Sequence, residues 1–463
     1  MTGFKLQDIL DATKGRVIKE GADHFSGISI DSRTISDSEL FIAIRGARFD
    51  GHDFIDEALR KGAGAIVSYP PTFPVNGKTI IHVNNSLKAL QNIATFQRKK
   101  RDIKVVGITG TNGKTTTKEM LCSILKNFSS VLCSSGNLNN QIGLPLSLLK
   151  IDEEEISVLE MGASKRGDIM ELCEIASPDI GVITNIGPGH LEGFGSIDTV
   201  RDTKLELADY VKTVVINNDD EMLSPFVESL LNNNGKRVLS YGIERDAAVM
   251  AKDIRPSEQP DMKVPTLGFD LFIQGFDTVH INMKVSGWFN VYNALAASAV
   301  SSLLGVPLET IKKGLEQFEG VSMRLEIKEL KGAVIISDVY NANPASMEEA
   351  VKELLRVREG RAIVVLGDML ELGSYSDEAH RKLGAWLTEL PIDIFIAVGP
   401  LMALAADEFE NTPNGHGKEV YAVDDSGGAR NIVKDISKKG DTILIKGSRG
   451  MSMEHILEEN GAV

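Results

Sequence analysis

The run GTNGKTTT at 110–117 carries the strongest chemical signal in this chain. It follows the apolar run IKVVGIT (103–109) and opens KTTTKEMLCSILKNF (114–128), in which Met120, Leu121, Ile124, Leu125 and Phe128 recur at helical spacing. A strand, a glycine turn and a helix in that order let backbone N–H groups close around phosphate oxygens, with the positive end of the helix dipole behind them. Lys114 would reach the terminal phosphates, and the Thr115 hydroxyl would ligate Mg²⁺. Gly110, Thr111, Asn112, Gly113 and Thr116 complete the expected cradle. Ile108 stands where the general G-x-x-x-x-G-K-[ST] pattern has glycine. An ordinary glycine-rich βα turn is the competing reading; it accounts for neither the lysine nor the three threonines.

Two further groups fall where open parallel sheets bind ligands. Glu160, in LEMGA (159–163), ends a predicted strand, and His190, in TNIGPGHLEGFGS (184–196), follows the end of the next. Alone they read as a capping carboxylate and a loop histidine; beside a phosphate loop they read as ligands of a second divalent ion. Later in the chain, DVYNANP (338–344), GDMLELG (367–373) and KGSRGM (446–451) each end a short apolar run. The first has the composition of a plain turn, but three polar loops at one sheet edge suit a cleft for a small polar ligand. Near the N-terminus, Asp31-Ser32-Arg33 follows a strand candidate, and Ser32 and Arg33 could hold a diphosphate, a surface ion pair being the alternative.

These residues need a scaffold of 463 residues, about three domains at roughly 150 each. Apolar runs at 156–161, 179–184 and 213–217 alternate with helical patterns, as do runs at 332–338, 361–368, 393–399 and 441–447. Continuous apolar strands separated by helices imply parallel sheets covered on both faces. The first hundred residues are mixed, with strand candidates SGISIDSR, ELFIAIRG, GAIVSY and TIIHV and a helix in FIDEALRKG. The expected architecture is α/β in three domains. An N-terminal mixed α/β domain (1–101) ends in a basic hinge at Arg98–Arg101; a central phosphate-loop ATPase domain (102–320) and a C-terminal Rossmann-like domain (321–463) follow. A net charge of −15 argues against a protein that coats nucleic acid or anionic membrane. No apolar stretch approaches the ~20 residues of a membrane span. MTGFKLQD at the start has no secretory pattern, and three cysteines without CxxC spacing predict neither a disulfide framework nor a zinc ribbon. A cytosolic protein is expected.

Taken together, the motifs resemble the Mur ligase family, ATP-dependent enzymes that form amide bonds in peptidoglycan synthesis, over essentially the whole chain. GTNGKT is common to that family. GNLNNQIGLP (136–145), EMGA (160–163), DVYNANPASM (338–347), GDMLELG (367–373) and KGSRGMSME (446–454) are most similar to the members that add D-alanyl-D-alanine to UDP-N-acetylmuramoyl-tripeptide. Other family members and folylpolyglutamate synthases usually carry something different at YNANP.

The resemblance implies ATP and two Mg²⁺ ions, with Thr115, Glu160 and His190 as metal ligands and Lys114, His190 and Lys204 as the catalytic set. Lys204 matches the lysine that becomes carbamylated. In GWFNVYN (287–293), Asn290 and Asn293 would lie beside adenine, with Phe289 in place of the customary histidine. Arg324 and Asp338 match nucleotide contacts. Tyr340, Asn341 and Asn343 fall in the loop of the incoming dipeptide, and Ser32 and Arg33 in the segment that receives UDP. Asn137, Asn139, Asn140, Thr184 and Asn185 are further expected substrate contacts. The implied protein is a monomer that engages neither nucleic acid nor membrane. Two rivals stay open: a sibling ligase adding a single amino acid, and a non-catalytic nucleotide switch.

Overall fold

A computed structural model of the chain describes residues 3–458 apart from 47, 76, 232–234 and 259–262. Met1 and Thr2, the start of the segment read for a secretory pattern, lie outside the described residues.

Two of the three large sheets carry the site. In the nine-stranded sheet Lys104–Thr109 lies third from one edge, between Ile156–Glu160 and Ile180–Ile183, both parallel to it. These strands are buried on both faces, which is why they are apolar without alternation. The register sets Glu160 opposite Ile108 and Ile183 opposite Thr109. Glu160, Gly110 and Thr184 therefore leave the sheet side by side. Helix Lys114–Leu125 starts at the phosphate loop and buries Met120, Leu121 and Ile124 with Val291, Ala294 and Ala297 of helix Phe289–Leu303. The helix stops at Leu125, so Phe128, expected on its apolar stripe, lies beyond it and is exposed.

The same sheet extends past Thr213–Asn217 into a region where the sequence reading had no strands. Arg237–Gly242 and then Val249–Ser257 pair parallel, and Thr266–Ile273 and Val279–Asn282 continue antiparallel. Val249–Ser257 carries Lys252, Asp253, Arg255 and Pro256 and a register shift between Lys252 and Arg255. Charge, proline and a bulge hide a strand from an apolar-run search.

The six-stranded sheet has the order 326–330, 333–338, 442–446, 362–367, 394–398, 419–423, parallel except for the first hairpin. Lys446 stands in register with Asp338 on one side and Leu366 on the other, so the three polar loops do leave the same sheet edge. The two outer strands, Glu326–Leu330 and Glu419–Val423, mix charged and apolar residues, as edge strands do. The N-terminal five-stranded sheet runs 16–19, 79–82, 64–67, 40–42, 28–29, parallel except for its first strand.

Two expectations are corrected. Arg98 and Lys99 are not in a free hinge but in the last turn of helix Ser86–Lys99, where the Arg98 guanidinium donates to the carbonyls of Ala176 (3.1 Å) and Ser177 (3.3 Å). Cys122 and Cys133 form a disulfide: the phosphate-loop helix packs over Val131–Cys133 and brings their Cα atoms to 6.4 Å. Cysteine spacing along the chain could not show this, because the pairing comes from helix-on-strand packing. Among the described residues, no helix is long and apolar enough to cross a membrane.

Candidate active site

A cavity of about 1320 Å³ opens between the carboxyl edges of the nine- and six-stranded sheets. The phosphate loop, Glu160, His190, Lys204, Asn290, Asn293, Arg324 and Asp338 all line it, as do Asn137, Asn139, Asn140, Thr184, Asn185, Tyr340, Asn341 and Asn343. Ser32 and Arg33 do not. The Ser32 hydroxyl donates to Glu57 (2.8 Å), and Arg33 forks onto Asp31 (2.9 and 2.7 Å), drawing that carboxyl down to about 2.

The phosphate-loop wall is tightly braced. Gly113 has φ 80°, and a Cβ there would collide with Asn293 Oδ1; Gly110 has φ 144° and faces Thr184 Oγ1. Only glycine fits either place. The Thr184 hydroxyl donates to the Asn112 carbonyl (2.6 Å), and Asn185 Oδ1 accepts from Asn112 N (2.9 Å). These two expected substrate contacts are thus committed to holding the loop. Asn293 Oδ1 accepts from Thr117 (3.1 Å) while its amide donates to Asn290 (3.1 Å), tying helix Phe289–Leu303 to the loop. Lys114 Nζ donates to the carbonyls of Gly110 and Thr111, both at 2.9 Å.

Glu160 is buried, accepting from Thr115 Oγ1 (2.8 Å) through one carboxylate oxygen and from Asn139 Nδ2 (2.8 Å) through the other. Asn140 Oδ1 instead accepts from Ile142 N (3.1 Å) and Gly143 N (2.9 Å) just before the helix that starts at Gly143, while Asn137 is exposed at the cavity wall. A hydroxyl and a carboxylate at the phosphate loop are hard oxygen donors, the kind Mg²⁺ takes alongside phosphates and water. Among the described residues no three His, Cys, Asp or Glu side chains form a ready metal cage. His190 lines the same cavity, but its Nδ1 lies 2.7 Å from Glu371 of the GDMLELG loop.

Burial pushes both cavity lysines down. For Lys114 the cost of burial leads, opposed by Glu160. For Lys204 burial leads and the Lys114 charge adds to it, bringing the amine to about 7. Lys204 Nζ sits 5.6 Å from the Phe194 ring centroid.

The opposite wall comes from the six-stranded sheet. Arg324 lies 4.3 Å over the Tyr340 ring and donates to Thr115 Oγ1 (3.0 Å). Asn343 caps helix Pro344–Val357, its Oδ1 accepting from Ser346 N, and its Nδ2 donates to Asn112 Oδ1 (2.9 Å). Asn341 is exposed, and its side-chain Oδ1 accepts from its neighbour Ala342 N (2.9 Å). Asp338 pairs with Lys446 (2.5 Å), whose Nζ also donates to the Asn341 carbonyl (2.8 Å). The loops of Lys446 and Glu371 are legible in the sequence, but nothing there marks either residue. Their partners, Asp338 and His190, are more than a hundred positions away, and only the folded edge brings them together.

The model of the Mur ligase middle domain matches 108–301, that of the Mur ligase glutamate ligase domain 323–449, and that of the Mur ligase family catalytic domain 24–98. The chain belongs to the Mur ligase family. It is 36% identical to the UDP-N-acetylmuramoyl-tripeptide–D-alanyl-D-alanine ligase of Bacillus subtilis, over 94% of this chain and 92% of that one. Among solved structures it is similar to MurF from Acinetobacter baumannii, with TM-score 0.88 and 31% identity over 98% of each chain. It is also similar to MurF from Thermotoga maritima in complex with ADP, with TM-score 0.79 and 32% identity over 93% of this chain and 96% of that one.

Proposed function

We propose that this chain joins D-alanyl-D-alanine to UDP-N-acetylmuramoyl-tripeptide with conversion of ATP to ADP and phosphate, in peptidoglycan precursor synthesis. The observation that carries this reading is the meeting of the braced phosphate loop with the DVYNANP and GDMLELG loops in one cavity. It joins the sequence-wide likeness to ligases of that name.

The chemistry follows from what amide synthesis demands. A carboxylate is a poor electrophile, so its oxygen takes the γ-phosphoryl group of ATP, giving an acyl phosphate and ADP. The dipeptide amine then adds to the carbonyl carbon, and the tetrahedral intermediate expels phosphate. Lys114 and Arg324 both stand at the phosphate loop, where they offset charge on the transferring group. Asn290 and Asn293 face the nucleotide base; Asp338, held by Lys446, reaches the nucleotide. Asn137 and Asn139 line the side for the tripeptide, and Tyr340 and Asn341 that for the dipeptide. Holding three substrates together supplies much of the acceleration.

Mg²⁺, held by Thr115 and Glu160 with His190 nearby, would neutralise phosphate charge. Lys204 fits carbamylation, because an amine that titrates near 7 is largely neutral in mild alkali and a neutral amine is what adds to CO₂. The segments 1–101, 102–320 and 321–463 act as domains, the first receiving UDP through Ser32 and Arg33. We place the enzyme in the cytoplasm as a monomer.

Phosphate release with UDP-muramoyl-tripeptide tests the reading. Release that requires D-alanyl-D-alanine, with a product heavier by one dipeptide less water, is expected. Release driven instead by glutamate, lysine or diaminopimelate would identify a single-amino-acid ligase. No acceptor-dependent release would leave a nucleotide-binding protein.

A further inference from the structure

The GDMLELG loop reaches from the six-stranded sheet to His190 on the other side of the cavity. Its near end is pinned to its own sheet unit: Met369 N donates to His380 Nε2 (3.0 Å) and Leu370 N to Ser448 Oγ (2.8 Å). His380 is fully buried, and its Nδ1 bonds the Ser376 carbonyl (2.7 Å), so the anchor itself is fixed. Beyond the anchor the backbone turns into the left-handed region at Glu371 (φ 65°) and again at Gly373 (φ 57°). A side chain at Gly373 would press on Glu192 Cα at 3.0 Å. The turn brings the Glu371 carbonyl to Glu192 N (3.1 Å) and the Glu371 carboxylate to His190 Nδ1 (2.7 Å). A residue with a β-carbon adopts such a φ only where its surroundings over-determine it. Here they do, and the result is a carboxylate aimed at one imidazole nitrogen. The Glu371 side chain is 55% exposed, so packing does not require it.

We infer that Glu371 is a positioning residue: it fixes His190 in the tautomer protonated at Nδ1, and does so only while the unit that carries it is docked. A carboxylate accepts but does not donate, so the shared proton belongs to Nδ1, and in the neutral ring Nε2 keeps its lone pair for the cavity. With the C-terminal unit undocked, His190 loses that partner and the choice of tautomer is free. The device ties the competence of one cavity wall to the arrival of the other, which would restrain phosphoryl transfer before the acceptor loops are in place. The effect on turnover rests on the ligase reading above; the tautomer does not.

The test uses full-length, ligand-free protein with ¹⁵N-labelled histidine, the His190 signals being assigned by difference from His190→Gln. In alkaline buffer, where imidazole is neutral, wild type should show a protonated Nδ1 and a bare Nε2. Glu371→Ala should lose that pattern, and Glu371→Gln, which keeps an acceptor oxygen, should retain part of it. In the full reaction kcat should fall roughly 10- to 100-fold in Glu371→Ala, and less in Glu371→Gln, with KM for ATP within about threefold of wild type. Unchanged His190 signals in Glu371→Ala overturn the proposal, whatever happens to activity. A changed tautomer with unchanged kcat overturns its role in turnover. A changed tautomer in a protein with no acceptor-dependent turnover at all, wild type included, removes the ligase reading and leaves the Glu371–His190 linkage standing. Equal melting temperatures for the variants and wild type separate these outcomes from loss of fold.

Discussion

The two walls of the cavity are built by opposite strategies. On the nine-stranded sheet the phosphate loop is fixed before any ligand arrives: Thr184, Asn185 and Asn293 spend their polar groups on its backbone and helix, and Gly110 and Gly113 admit no other residue. On the six-stranded sheet the anchors are internal, Lys446 beneath DVYNANP and His380 beneath GDMLELG. That wall reaches the first through Arg324 to Thr115, Asn343 to Asn112, and Glu371 to His190 and, by its carbonyl, to Glu192 N. One wall is a preformed anion cradle; the other is a rigid set of loops delivered to it. Changes in the cradle should therefore abolish chemistry, and changes at the crossing contacts should tune it.

The largest effect expected is Lys114→Ala. It removes the cation that the loop holds by two carbonyls, and acceptor-dependent phosphate release should fall about 10³-fold, or about 4 kcal/mol, with melting temperature nearly unchanged. Retention of more than a tenth of wild-type turnover would mean that the cradle does not act on the transferring phosphate.

Lys204 sharpens the contrast within the same wall. Its folded amine titrates near 7 against an ordinary 10.5, because burial disfavours its charged form. Between those values the unfolded chain holds the extra proton, so stability should rise with pH across that window, by on the order of a few kcal/mol. Lys204→Met should flatten the rise, as read by denaturant unfolding at a series of pH values. Mass spectrometry in bicarbonate should show one CO₂ added to wild type and none to Lys204→Met. A wild-type stability that falls from neutral to alkaline pH would contradict the burial argument.

The first crossing contact gives a smaller effect. Tyr340→Leu removes the face beneath Arg324, and KM for ATP should rise by roughly 2- to 30-fold, as expected for a cation–π contact of about 0.5–2 kcal/mol. Tyr340→Phe keeps the ring and should stay within twofold of wild type. Equal effects from both changes would assign Tyr340 to the dipeptide through its hydroxyl.

How much of this was legible in sequence differs between the walls for the same reason. The cradle is local: strand, glycines, lysine and threonine follow one another, and Glu160 and His190 fall at or beyond the ends of the two apolar strands that flank it, so position along the chain predicts position in space. The edge that gathers DVYNANP, GDMLELG and KGSRGM was also legible, because each loop ends an apolar run. What stayed hidden was pairwise and long-range. Thr184 and Asn185 look like ligands for a substrate until the fold aims them at Asn112. Cys122 and Cys133 look unrelated until a helix lies on a strand. Glu371 is one carboxylate among 65 acidic residues until the loop turns it toward His190.

Asn343 offers the finest separation of anchor from crossing contact, since one side chain does both jobs. Its Oδ1 caps helix Pro344–Val357 and its Nδ2 bridges to Asn112. Serine caps about as well as asparagine but is too short to make the bridge. Asn343→Ser should therefore keep stability within about 0.5 kcal/mol of wild type and raise KM for ATP a few-fold, the effect of one hydrogen bond of about 1 kcal/mol. Asn343→Ala loses both functions and should add a stability loss of about 1 kcal/mol to the same shift in KM. If Asn343→Ser matched wild type in KM while Asn343→Ala did not, the bridge would be idle. The second wall would then engage the phosphate loop and His190 through Arg324 and Glu371.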